Sequence, residues 1–258
     1  VERFGRVDLW FNNAGVGVFG AFSDLPADVW RRVIDVNLFG YVHGARAALP
    51  IFRKQGHGVL VHNASIVGVT AKPESAPYAT SKFAIRGFSE CLRQELLDEP
   101  GIHVCTILPA AMDTPFFHHA ANFSGRKVVA APPVYRPEKV AETVVWLLHR
   151  PRAETAIGGA AKFGIVQKWL MPRLSTSLFG RLLHFGFFAQ TPAYATRGNL
   201  FKPTSEPWGV TGGWRRGFNN GGVPSAVFAA IAVAPLGFAL LRRFASGRRA
   251  EPRRSSWR

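Results

Sequence analysis

Tyr78 and Lys82 stand four residues apart in the run Tyr78-Ala79-Thr80-Ser81-Lys82, and Ser65 lies thirteen residues upstream. On a helix that spacing puts both heads on one face, where they can meet at one point. A free tyrosine, with a pKa of about 10, is a poor acid or base at neutral pH. A nearby ammonium favours the phenolate. Bringing the phenol to neutrality takes about 4 kcal/mol of differential stabilisation, at about 1.36 kcal/mol per pKa unit. A serine hydroxyl at the same point can hold a carbonyl or alcohol oxygen. The three groups together suit proton transfer coupled to hydride transfer. The spacing alone leaves open a plain surface Tyr and Lys on an ordinary helix.

The elements that would position these groups are readable from periodicity. Val7 to Phe11 reads as a buried strand that ends in Asn12-Asn13-Ala14-Gly15, a turn where Gly15 lets the backbone bend or approach a ligand. A helix is predicted from about Pro26 to Phe52, because Trp30, Val33, Ile34, Leu38, Tyr41, Ala45 and Ala48 follow a 3.6-residue period. Asn37 falls on the same apolar stripe. A buried Asn must find partners, so it is a structural clamp or part of a polar relay, and on the residues alone the clamp is favoured. Gly58 to Ser65 is a second apolar strand. Ligands of open parallel sheets sit at the carboxyl ends of strands, which gives Ser65 a site position.

A helix from about Pro77 to Leu97 would carry Tyr78 and Lys82 in its first turns, with Phe83, Phe88, Leu92 and Leu96 on its core face. A strand from Ile102 to Leu108 runs into Pro109 and then Asp113-Thr114. A helix from Pro137 to His149 and a short strand from Thr155 to Gly159 complete the pattern. Alternating strands and helices predict an α/β fold, a doubly wound, Rossmann-like parallel sheet.

Five features in this order resemble the short-chain dehydrogenase/reductase family: Asn12-Asn13-Ala14-Gly15, the helical Asn37, Ser65, Tyr78-x-x-x-Lys82 and the Pro109 to Thr114 segment. The resemblance covers residues 1 to about 162. It implies that Tyr78 is the general acid/base, that Lys82 lowers its pKa and binds the nicotinamide ribose, that Ser65 orients the reacting oxygen, and that Asn37 holds a water in the proton relay. It also implies that Asn13, Ala14, Gly15, Tyr78, Lys82, Pro109 and Thr114 contact NAD or NADP. Ala110 stands where the family usually has Gly after the Pro. The family's opening strand, its TGxxxGxG turn and the residue that selects NAD or NADP have no counterpart here. The strand at residues 7–12 would therefore present an apolar edge, an aggregation hazard. The expectation is that the chain is the carboxyl-terminal part of a longer protein.

The formal charge is +16 over 258 residues, and a net of +9 lies between Arg197 and Arg258. Cys91 and Cys105 read as isolated, reduced and buried thiols. The eight His show no ligand spacing, so no metal site is expected, and His118-His119 read as loop residues. Five segments are expected. Residues 1–162 form the partial dehydrogenase domain. Residues 163–190 form an amphipathic helical segment that lies on a membrane surface or packs over the substrate site. Residues 191–222 form a Gly/Pro-rich linker. Residues 223–241 form an uncharged stretch long enough to cross a membrane, and residues 242–258 form a tail with seven arginines. The expectation is a membrane-associated protein with its catalytic domain in the cytoplasm. Pro235 would bend the apolar stretch so that the arginines meet anionic head groups on the same side. With Trp257 the sole stacking candidate beside the arginines, nucleic-acid binding is not expected.

The functional expectation is an oxidoreductase that moves a hydride between NAD(P), with NADP favoured, and a small hydrophobic alcohol or ketone. Phe116, Phe117, Phe123 and Val128 supply an apolar substrate loop. Assembly as a homo-oligomer would use the helices that bear Asn37 and Tyr78. The alternative is a truncated, non-catalytic relative that binds membranes.

Overall fold

The computed structural model describes residues 1–170, 186–205 and 208–215. They fall within one unit of the chain, Val1–Gly222. In chain order, β1 (Leu9–Asn12) and the short β2 (Val18–Phe19) precede a long helical run. That run consists of α1 (Ala27–Ile34), a π-helical turn (Asp35–Phe39) and α2 (Gly40–Gln55). Then come β3 (Gly58–Asn63), α3 (Ala76–Glu95), β4 (Ile102–Pro109) and a one-turn α4 (Phe116–His119). Short β5 (Ala121–Asn122) and β6 (Arg126–Val128) lead to α5 (Glu138–His149) and β7 (Glu154–Ile157). Helix α6 (Gly159–Leu170) and β8 (Phe188–Pro192) follow.

β1, β3, β4 and β7 form one parallel sheet in the order β1-β3-β4-β7. Its register aligns Trp10 with Leu60, Leu60 with Val104, and Leu108 with Ala156. Near-continuous apolar strands are what a sheet covered on both faces requires. On one face Leu60 and Val104 pack with Ala45, Ala48 and Phe52 of α2 and with Leu92 of α3. On the other, Val59, Val61, Cys105 and Ile107 pack with Val144 and Leu147 of α5. Among the described residues β1 has a single strand neighbour, β3, and Leu9, Trp10 and Phe11 are only half-buried.

Helix α2 ends at Gly56, whose left-handed φ of 76° caps it. Gly44 lets α2 lie close on β1, since a Cβ there would collide with Asn12 Oδ1 and Trp10 Nε1. The central core residue is Phe52, fully buried against Gly58. Phe52→Ala is expected to lower unfolding free energy by about 3–5 kcal/mol, as measured by denaturant titration.

Several expectations change against the structure. The helix from Pro26 to Phe52 forms, but its middle is a π turn at Asn37. The boundary at residue 162 falls inside α6, which starts directly after β7. The described part of the stretch read as a linker, residues 191–205 and 208–215, packs on the body of the domain. β8 pairs antiparallel with β6, aligning Phe188 with Val128, and Leu200 is buried with Val18 and Val29. Trp214 donates its indole N–H to Thr114 O at 2.9 Å and its backbone N–H to Asp113 Oδ1 at 2.8 Å. A few well-spaced apolar and aromatic anchors outweigh the Gly/Pro content of that segment. Phe187 and Phe188 are buried beside Phe19 and Phe117, so this end of the supposed amphipathic segment faces the protein. His118 and His119 form the turn α4, and Cys91 is exposed on α3 while Cys105 is buried. No helix among the described residues is long and apolar enough to cross a membrane, and the 223–241 and 242–258 segments lie outside those residues.

Candidate active site

The carboxyl ends of β1, β3 and β4 open into a cavity of about 680 Å³. The end of β1 supplies Asn13, Ala14 and Gly15, that of β3 supplies Ser65, and that of β4 supplies Pro109 and Thr114. Helix α3 adds Tyr78 and Lys82 from its first two turns. Eight of the nine candidate catalytic and cofactor-binding residues thus line one cavity. Asn37 lies behind the wall, fully buried.

Ser65 is extended at the end of its strand and caps a short 3-10 turn, its Oγ accepting from Val67 N–H at 3.1 Å. Burial pushes the Tyr78 phenol up to about 12, and the Ser65 hydroxyl beside it offsets this in part. Tyr78 is only half-covered and faces the cavity, so solvent there moderates the upward push. Lys82 is buried and donates from Nζ to Asn63 O at 2.7 Å. Its ammonium lies 5.5 Å from the Tyr78 ring centre and 5.4 Å from that of Tyr41. Burial pulls Lys82 down to about 7. The expected depression of the tyrosine by the lysine is therefore not what this geometry gives. Desolvation acts on both groups, pushing the phenol up and the amine down.

Asn37 is a clamp. Its Oδ1 accepts from Val16 N–H at 2.8 Å, and its Nδ2 donates to Val16 O and Ser81 Oγ, both at 3.0 Å. The π turn that carries it is the helix irregularity commonly found at functional sites, and here it aims Asn37 at the strip that follows β1. Asn37→Ala is expected to lower stability by about 1–3 kcal/mol, because Val16 loses both backbone partners. Faster amide exchange at residues 13–16 would accompany the loss in an unfolding and hydrogen-exchange measurement.

Periodicity did not single out several cavity residues. Lys72 sits in a turn-rich stretch with no repeat, and His119 was read as a loop residue. Phe19, Phe187 and Trp208 also line the cavity. Their role depends on tertiary packing of distant segments, such as the 4.6 Å contact between the rings of His119 and Trp208.

The pattern of the short chain dehydrogenase family matches residues 1–124. The chain is 32% identical over 196 residues to the uncharacterized oxidoreductase YxnA of Bacillus subtilis (strain 168), covering 75% of this chain and 55% of that protein. It is 31% identical over 198 residues to a protein of Mycobacterium tuberculosis named "Putative oxidoreductase SadH", covering 72% of this chain and 69% of SadH. The chain thus spans little more than half the length of YxnA. Among solved structures it resembles a short-chain dehydrogenase from Streptomyces avermitilis, with a TM-score of 0.58 and 25% identity, over 71% of this chain and 72% of that one. It also resembles an alcohol dehydrogenase from the archaeon Thermococcus sibiricus complexed with 5-hydroxy-NADP. That match has a TM-score of 0.50 and 27% identity, over 60% of this chain and 64% of that one. Given a match that runs through more than two thirds of SadH, the chain belongs to the short-chain dehydrogenase family.

Proposed function

We propose that the protein is an NAD(P)-dependent oxidoreductase that interconverts a hydrophobic ketone and alcohol, with Tyr78 as general acid/base. The observation that carries this reading is the convergence of Ser65, Tyr78 and Lys82 on one aromatic-lined cavity, with the Lys82 ammonium 5.5 Å from the Tyr78 ring centre. Asn13, Ala14, Gly15, Tyr78, Lys82, Pro109 and Thr114 would hold the nicotinamide and its ribose. They fit that group. Asn13 to Gly15 form an exposed strip on the cavity, and a Cβ at Gly15 would stand 3.8 Å from Lys82 Nζ and 3.4 Å from Asn37 Oδ1. Glycine keeps the backbone there open to close approach by a ligand. Lys82 uses one of its three donors on Asn63 O, and two remain for ribose hydroxyls.

A bound nicotinamide supplies or takes the hydride. In the reducing direction Ser65 holds the carbonyl oxygen and Tyr78 gives it a proton from its hydroxyl, so that the ketone gains a hydride at carbon and a proton at oxygen. In the oxidising direction Tyr78 takes that proton back. Asn37 keeps the cofactor strip in register. Phe19, Phe116, Phe117, Phe187 and Trp208 support an apolar substrate. NADP is the favoured form, supported by the net charge of +16 and by the likeness to a protein complexed with 5-hydroxy-NADP.

The apolar stretch at 223–241 would attach the protein to membrane, a reading supported by the exposed Trp169 and Leu170 on α6. Exposed Phe39 and Phe83, on the helices of Asn37 and Tyr78, support pairing of two copies there. The test is nicotinamide absorbance with aliphatic ketones of increasing chain length. Turnover that rises with chain length and is faster with NADPH than with NADH is expected. No oxidation of either cofactor, and no reduction with the matching alcohols, would leave a non-catalytic binding protein.

A further inference from the structure

Among the described residues Lys72 and Lys82 are the only buried lysines, and only Lys82 has an assigned task. Lys72 is 6% exposed and lines the same cavity as Ser65 and Tyr78. Its ammonium sits 4.3 Å from the ring centre of Phe19 and 4.4 Å from that of Phe187. It makes no hydrogen bond or ion pair among the described residues. Two aromatic faces recover only part of what it costs to take an ammonium out of water. Burial accordingly pulls the amine down to about 7, while nearby Glu74 pushes it the other way. Glu74 is itself ion-paired to Arg126 at 3.3 Å. A methionine would fill the same place without that cost. A buried polar group that breaks the packing rule beside a reaction site marks recognition more often than packing.

The chain also holds Lys72 in place from both sides. Thr70 N–H donates to Ile66 O at 3.0 Å. Beyond Lys72, Glu74 takes a left-handed φ of 55°, uncommon for a side chain of its size. Its carbonyl accepts from Gly20 N–H at 2.9 Å, and Ser75 Oγ donates to Val18 O at 2.9 Å. The segment is thus tied to the strand and turn that carry Phe19, one wall of the amine's own box.

We infer that Lys72 is a specificity-determining residue that binds the carboxylate of the substrate, which is then an apolar hydroxy or oxo acid with its reacting oxygen at Ser65 and Tyr78. A cation in an apolar wall, with no hydrogen-bond partner among the described residues, is matched by an anion that accepts charge-assisted hydrogen bonds. A neutral ketone would leave the amine unmatched. This rests on reading the cavity as the substrate site, and it is tested by binding rather than turnover.

The experiment is calorimetric titration of the full chain, wild type and Lys72→Met, with octanoate and with octanamide, a neutral probe of the same length. Wild type should bind octanoate, and Lys72→Met should bind it about tenfold or more weakly, the worth of one charge-assisted contact. Octanamide should bind both proteins alike. Lys72→Gln serves as a second variant should the Met protein fail to fold by circular dichroism. Octanoate affinity unchanged in the variants, wild type binding acid and amide equally, or no octanoate binding would each overturn the assignment. Failure of ketone turnover would leave the binding result standing. Turnover without Lys72-dependent acid binding would sink this inference and spare the proposed reaction.

Discussion

Tyr78→Phe is expected to lower kcat by about a hundredfold to ten-thousandfold, the usual worth of a positioned general acid, with little change in fold stability or cofactor affinity. The phenol shares the cavity wall with the Ser65 hydroxyl, where the substrate oxygen would be held, and burial favours its protonated form. Phenylalanine removes that proton and little else. The ring still packs against Phe116, now 5.5 Å away between centres, and Ser65 keeps its bond to Val67 N–H. A thermal melt matching the wild type, with turnover lost and nicotinamide binding retained, is the expected pattern. Turnover at the wild-type rate would remove Tyr78 from the mechanism.

Lys82→Met should separate activity from stability. The lysine is buried, with a carbonyl as its hydrogen-bond partner and no carboxylate in an ion pair among the described residues. In the unfolded chain its pKa is the ordinary 10.5, and in the fold it is near 7. Between those values the unfolded chain binds the extra proton, so stability rises as pH climbs from about 7 toward 10.5. Lys72 adds a rise of the same sign. Methionine at position 82 removes the first contribution, so the variant's melting temperature should be at least that of wild type at pH 7 and should climb less steeply with pH. Asn63 O is not orphaned by the change, since it still accepts from the Tyr41 hydroxyl at 3.0 Å. Activity should nonetheless fall by about a hundredfold or more, a loss on the scale of a tuned proton-transfer group, because the ribose loses its cation and the tyrosine its nearest positive neighbour. A variant less stable than wild type at neutral pH would show that the lysine serves packing.

The sheet and the strand-end residues were readable because they obey local rules. Val59, Leu60 and Val61 form a buried run before Ser65, and the four-residue step from Tyr78 to Lys82 survives any helix register. The π turn was not readable: Asn37 sits on the apolar stripe of either helix type, and the inserted residue shows only in the backbone. The fate of residues 191–215 was misread for a different reason. Leu200 and Trp214 are single anchors in Gly/Pro-rich sequence, and their partners Val29 and Thr114 lie far away in the chain. The upward push on the Tyr78 phenol was not readable, because spacing reports proximity and says nothing of desolvation. Lys72 left no mark in periodicity, since its box is built from Phe19 and Phe187.

If hydride reaches a substrate carbon whose oxygen Tyr78 serves, NADPH carrying deuterium at both C4 positions should label that carbon. The measurement is mass spectrometry of the alcohol formed from an aliphatic ketone by wild type and by Tyr78→Phe. Deuterium at the carbinol carbon is expected with wild type, and almost no alcohol with the variant. An unlabelled alcohol from wild type, or an equal yield of labelled alcohol from both proteins, would rule this mechanism out.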